Sequence, residues 1–463
     1  MSVDALIVGA GPVGMSAALS LASVGASVRV VDEQAAVGGQ VYRAVDRVTE
    51  EYPDSLVALG RDYAEGTAIT RLFDQSGVLF SPLTSVWDIE GGGNTRVGLV
   101  SKEKTEMVYP RNIILANGAM ERPTPFPGWT LPGVMSVGGA QTLMKESGLV
   151  PEGKVVIAGS GPLVYLYANQ LIASGSPPIA ILDGALADPT FRHWGRLLKA
   201  FYADLASIRK GIGWLRQIHS SGVRHVRNVT DWKAIGEQTC NGVVFSYDGK
   251  SEQIECDLFL VHDGVIPNTH LSMAADCQHQ WNDLQSYWTP KVTAVGESSQ
   301  PGIYITGDNA GIGGAEMAAC QGRVVGHTVA HRLNLINLQA LRDKTSTDQR
   351  RLKSLAIQRK FLDHHYRPMK FMQVPDSLET VVCRCEEVTV GEIREVARRG
   401  CVGPNQGKAF TRCGMGPCMG RYCGNSVSQI IADTHGFSVE QVGHYRIRPP
   451  VRPINVGQLL TLD

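Results

Sequence analysis

No cysteine occurs in the first 239 residues of this 463-residue chain. That half therefore holds neither a disulfide nor a pair of redox-active thiols. An excess of either charge is missing too. Lys+Arg and Asp+Glu both number 44, which argues against a polyanion or nucleic-acid partner, since phosphate contacts need a basic excess or a basic face. No run approaches the roughly 18–20 uninterrupted apolar residues of a transmembrane segment. The start, MSVDALIVGAGPVG, lacks a charged n-region, a separate apolar h-region and a cleavage site. The chain is therefore expected in the cytoplasm, with any membrane association made through partners. Hydrophobic residues at 43% and charged residues at 19% are ordinary for a globular protein. The length implies about three domains.

Glycine, by contrast, is plentiful at 51 residues, and its placement is informative. In DALIVGAGPVGMSAALSLASVGASVRVVDE (4–33) an apolar strand runs into Gly9-x-Gly11-Pro12-x-Gly14, then a helix, then a second strand ending in Asp32 and Glu33. Gly9 makes the tight turn, Gly11 admits a pyrophosphate to the backbone, and Gly14 lets the helix pack on the strand. The helix start offers free N–H groups to phosphates, and Asp32 is placed for ribose hydroxyls. The spacing predicts a dinucleotide site.

Three further segments resemble two-dinucleotide-binding flavoproteins and imply FAD as the ligand. VGGQVYR (37–43), with Gly39 and Gln40, resembles the loop after the second strand. NIILANGAMERP (112–123), with Ala116 and Gly118, resembles the exit from the flavin domain. GIYITGDNAGIGGAEMAACQGRVVG (302–326) resembles the closing motif, in which Gly307 precedes Asp308, the expected ribityl-chain ligand. The resemblance implies an α/β fold: a Rossmann-like FAD domain (1–122 and 271–335) interrupted by an NAD-type domain (123–270). A helical connector (336–380) and a small, mainly helical domain with the tail (381–463) complete it.

The second motif, GKVVIAGSGPLVYLYANQLIASG (153–175), places Gly159 and Gly161 before a helix but Val164 at the third glycine position. A second strand ends in Asp183, and no arginine pair follows for a 2′-phosphate. The expected occupant is an adenine nucleotide, ATP or NAD, and an empty scaffold is the competing expectation. Disulfide reductases of this architecture carry CxxC in the inserted domain or CxxxxC early in the flavin domain. This chain has neither, which excludes their chemistry.

Six of the ten cysteines lie between Cys383 and Cys423. VVCRCEEVTVGEIREVARRG (381–400) is followed by FTRCGMGPCMGRYC (410–423), so that Cys383-x-Cys385 and Cys413-x4-Cys418 offer four soft thiolates from two loops. Thr389 with Glu392 forms a capping box, and Pro417 is placed to start a helix with Cys418 near its positive end. The segment resembles the bacterioferritin-associated-ferredoxin-like [2Fe-2S] domain, and a zinc tetrathiolate is the alternative. Cys401 and Cys423 fall outside the pattern and are expected to be packed thiols, Cys423 being placed to substitute for a neighbour. The paired His364 and His365 are expected at the surface or in packing.

Taken in order, PFPGWTLPGVM (125–135), VVIAGSGPL (155–163), GDNAGIGGAE (307–316) and CRCEEVT…FTRCGMGPC resemble the α subunits of heteromeric opine dehydrogenases, D-hydroxyproline dehydrogenases and hydrogen cyanide synthase, over essentially the whole length. The resemblance implies a β subunit similar to D-amino-acid and glycine oxidases, with its own FAD. Some members add a small ferredoxin-like γ subunit. Substrate oxidation is expected in the partner, with electrons relayed by this chain to an external acceptor, so no catalytic acid or base is assigned here. The alternatives are a stand-alone NAD(P)H-dependent reductase, a mainly structural partner, and a hydrogen cyanide synthase subunit.

Overall fold

In the computed structural model, residues 3–92, 95–102, 104–185 and 205–462 are described, without the side chains of 205–208. The stretch after Asp183, 186–204, lies outside the described residues. Two parallel five-stranded sheets organise the chain. The first runs in the order Ile303–Ile305, Asn112–Leu115, Ala5–Val8, Val28–Val31, Leu79–Ser81. Its central strand is fully apolar and buried because helices cover the sheet, as parallel sheets require. Helices Pro12–Ala22 and Ala315–Arg332 pack together on it, and Gly322 and Gly326 let their backbones meet: a Cβ on either would crowd Val13, Ser16, Ala17 or Ser20.

The second sheet runs Arg224–Val226, Ala180–Asp183, Val155–Gly159, Leu258–His262, Val134–Ser136. The chain leaves the first sheet through Ala119–Glu121 and returns through Val265–Pro267, and these two segments pair antiparallel. Polar pairs pin both crossings. His262 Nδ1 lies 2.6 Å from Glu121 Oε1. The Arg122 guanidinium donates to the carbonyls of Asp263, Gln285 and Ser286 at 2.5–2.9 Å. It also lies 3.8 Å from the Asp263 carboxylate. Burial pulls Arg122 down and pushes Asp263 up to about 7. Removing one member of such a pair leaves the other buried without its partner, so Arg122→Met is expected to cost about 3–5 kcal/mol in urea unfolding of the FAD-loaded chain. A loss under about 1 kcal/mol would show that the crossing is not held this way.

The capping box forms: Thr389 N donates to Glu392 Oε2 at 2.8 Å, and Glu392 N to Thr389 Oγ1 at 3.3 Å, starting helix Val390–Arg398. Pro417 starts no helix. Met419 (φ 53°) and Gly420 (φ 79°) are left-handed, which a right-handed helix does not admit, and the helix begins only at Gly424 with Cys423 as its N-cap. Helix Leu338–His365 packs along Ala315–Arg332. His364 Nδ1 faces the Lys360 carbonyl at 2.7 Å and His365 stacks on Phe361, so neither joins a metal group among the described residues.

The C-terminal segment shares a core with the first half. Val86, Ile89 and Leu99 of the antiparallel sheet 85–108 join Val382, Val427, Ile430 and Tyr445 in one apolar cluster that also holds Cys383, Cys413 and Cys423. Trp129 Nε1 donates to the Val381 carbonyl at 2.7 Å, and the Arg384 guanidinium sits over the Trp129 ring. No described helix is long and apolar enough to cross a membrane.

Candidate functional site

The first glycine turn sits at the C-terminal edge of its sheet, where doubly wound folds bind ligands. Gly9 (φ 108°) has no room for a side chain, since a Cβ would overlap the Ala116 carbonyl. A Cβ on Gly39 would stand 2.9 Å from Gly11 Cα, so the loop with Gln40 lies directly on the turn. Gly38 N reinforces this by donating to Ala10 O at 2.8 Å. Asp32 accepts from Ala10 N at 2.6 Å and Gln34 N at 2.8 Å. Burial raises its pKa against the pull of those two amides.

Asp308 Oδ1 accepts from Gly313 N at 2.7 Å and Gly314 N at 3.0 Å, shaping the start of helix Ala315–Arg332. Glu33 is drawn toward the tail, 3.2 Å from Arg452. Two side-chain amides, to which sequence reasoning gave no role, lock the far side. Asn309 Nδ2 donates to Asn117 Oδ1 at 2.6 Å, and Asn117 Nδ2 to Asn268 O at 2.9 Å. Asn309 Oδ1 is buried with no hydrogen-bond partner among the described residues. Beside these amides in the chain, Gly118, Gly311 and Gly314 each have open space where a Cβ would stand. A glycine cradle with an orphaned buried acceptor fits a large planar ligand with a pyrophosphate tail.

The thiols fall into two groups. Cys383, Cys413 and Cys423 are buried, with sulfurs within 4.8 Å of one another. Cys413 and Cys423 sulfurs are 3.9 Å apart. Two thiolates on one tetrahedral metal at about 2.3 Å stand about 3.8 Å apart, so either sulfur is within reach of a metal atom that the other could hold. Hydrogen bonds from Cys413, Cys423 and the amides of Gly414 and Glu386 pull Cys383 down to about 2, and the Cys413 thiol is pushed up to about 12 by Cys383. Cys385, exposed, and Cys418, half-buried, are neighbours nearer the surface: burial raises the Cys385 thiol, the Cys418 amide opposes it, and the Cys418 and then the Cys383 sulfur add to the rise. The sequence pattern places Cys423 outside the site; the structure puts it in the buried group. Tyr445 covers that group, packed so closely on Gly414 and Gly420 that a Cβ on either would overlap its ring. Cys401 is buried apart from this group.

The second glycine turn is built from Gly159 and Gly161, both with positive φ. Asp183 accepts from Ala185 N at 2.9 Å and from the Tyr165 hydroxyl at 2.6 Å, with His225 Nε2 at 3.4 Å.

A family model described as pyridine nucleotide-disulphide oxidoreductase matches residues 3–330, and one described as sarcosine oxidase A3 domain matches 379–461. The opine oxidase A subunit of Agrobacterium tumefaciens (strain Ach5) is 39% identical over 471 residues, covering 99% of this chain and 92% of that protein. The HcnB subunit of hydrogen cyanide synthase from Pseudomonas protegens is 30% identical over 478 residues, covering 98% and 97%. Among solved structures, L-proline dehydrogenase from P. horikoshii aligns with a TM-score of 0.71 at 18% identity, covering 99% of this chain and 79% of that one, which shows the fold. The chain is thus an FAD-dependent oxidoreductase of the pyridine nucleotide-disulphide oxidoreductase class. Within that class it belongs to the family of the opine oxidase A subunits and their hydrogen cyanide synthase counterparts, the α subunits of heteromeric flavoprotein dehydrogenases.

Proposed function

We propose that this chain is the electron-transferring α subunit of an amine or imino-acid dehydrogenase of the opine or D-hydroxyproline type, with substrate oxidised in a β subunit that carries its own FAD. A small ferredoxin-like γ subunit belongs to the same assembly where the organism encodes one. The thiol site carries the reading: a buried three-thiol group and a second thiol pair, set in the same apolar core as the flavin domain. FAD, when bound, supplies two-electron exchange, and a [2Fe-2S] cluster supplies one-electron exchange. Gly9, Gly11 and the start of helix Pro12–Ala22 would hold the pyrophosphate, Asp32 the ribose and Asp308 the ribityl chain. Cys385 and Cys418 would supply one pair of cluster ligands, and Cys383 with Cys413 or Cys423 the other. The side chains locking the far side of the cradle are Asn117 and Asn309, amides that orient a ligand and transfer no proton. That favours substrate chemistry in a partner.

Purified alone, the chain is expected to reduce no dye with opines or D-hydroxyproline, and to do so only when co-purified with its β subunit. Full amine-dependent activity in the lone chain would overturn the assignment. Iron and acid-labile sulfide in equal amounts are expected on metal analysis, and zinc in their place would remove the one-electron role. Cyanide released by the assembled complex would move it to the hydrogen cyanide synthase branch.

A further inference from the structure

We infer that the second nucleotide fold is closed by the chain's own side chains, so that it takes neither NAD(P)H nor ATP. The conclusion concerns only this fold and stands whether or not the partner assignment holds.

The two folds provide an internal comparison. ILANG (114–118) and LVHDG (260–264) occupy the same place beside their glycine turns. In the first fold the residue whose carbonyl crowds Gly9 is Ala116, and in the second the residue whose carbonyl crowds Gly159 is His262. A methyl group in one crevice is thus an imidazole in the other. His262 ends the strand next to Gly159, at the point where the sheet order switches and a doubly wound fold admits its ligand. Its ring lies over the turn, with Cδ2 and Nε2 each 3.4 Å from where a Cβ on Gly161 would stand. The ring is fixed there by Glu121, whose other oxygen accepts from Gly138 N at 2.8 Å. His262 is only 3% exposed, so the space next to the phosphate-binding amides is filled.

The ribose end is engaged as well. Asp32 of the first fold accepts, among the described residues, from the main-chain amides of Ala10 and Gln34. Asp183 takes a phenol and an imidazole on Oδ2 in addition to its amide, and the phenol belongs to Tyr165, where the first fold has Met15 after its third glycine. Burial raises Asp183, and the hydrogen bonds from His225, Tyr165 and Ala185 outweigh it, leaving a carboxylate that already holds three partners. The segment after the connector helix then lies on the same edge. Met369 packs against Gly184 so closely that a Cβ there would overlap its sulfur, and Met369 N donates to Asp263 at 3.0 Å. A ribose diol would have to displace the Tyr165 hydroxyl and a pyrophosphate the imidazole.

Hydrogen exchange on the FAD-loaded chain tests this, with NADH, NADPH and ATP each at about 1 mM. No added protection is expected at 155–165 or 180–184, and NADH is expected to leave the flavin absorbance unchanged. Protection of those segments by any of the three overturns the inference. In the variant His262→Ala, Tyr165→Phe, Met369→Ala, with FAD content and circular dichroism like the parent's, affinity for at least one nucleotide should rise about tenfold or more. A folded variant that gains none overturns the assignment of these side chains as the closure.

Discussion

Replacing Cys383 by serine is expected to strip iron from the chain and cut partner-dependent dye reduction by about 100-fold or more, with FAD content unchanged. Changes to residues that merely support metal ligands already cost about 10–100-fold, and Cys383 is the thiol that both Cys413 and Cys423 address. The other two behave differently. Because their sulfurs are 3.9 Å apart, serine at Cys413 or at Cys423 alone leaves a substitute donor in place. Each single variant is expected to keep about half or more of the iron, and the double variant about a tenth or less. Iron content and visible absorbance after anaerobic purification check this. Full iron in Cys383→Ser would dismiss the site, and complete loss in only one of the two single variants would fix that residue as the ligand and the other as its neighbour.

The second large effect is expected at Gly14. A Cβ there would collide with the Gly9 carbonyl, part of the main chain, so no side-chain adjustment relieves it. Gly14→Ala should therefore push the helix Pro12–Ala22 away from its strand and weaken FAD binding by about 100-fold, roughly 2.7 kcal/mol. The second turn already carries Val164 at the position of Gly14, so the control is Gly161→Ala, which is expected to leave FAD binding within about twofold because the flavin is assigned to the first turn. Equilibrium dialysis of FAD from both variants separates the outcomes. Retention of FAD at parental affinity in a folded Gly14→Ala chain would place the flavin elsewhere.

Features that depend on residues close in sequence were legible beforehand. The glycine turns, the acids ending the second strands and the Thr389–Glu392 cap rest on spacing within one strand–turn–helix unit or one helical turn. Cys423 was legible only as a substitute for a neighbouring ligand; its place in the buried group goes with left-handed Met419 and Gly420, which no spacing rule announces. The common core of the cysteine segment with strands 85–108 joins residues some three hundred positions apart, and no local pattern announces such a contact. His262 could have been found by laying ILANG over LVHDG, where a histidine replaces an alanine. Tyr165, His225 and Met369 converge on Asp183 and Gly184 from three separate segments, which only the folded chain brings together.

The paired crossings between the two sheets have a mechanical consequence. Enzymes that open and shut around a ligand do so by twisting a few residues where the chain passes between lobes. Here the outgoing and returning segments are zipped to each other and bolted by Glu121 to His262 and by Arg122 to three carbonyls, so a twist at either would break the whole set at once. The two sheets are thus tied at both crossings, a construction suited to holding one arrangement of lobes rather than to closing them like jaws on a ligand.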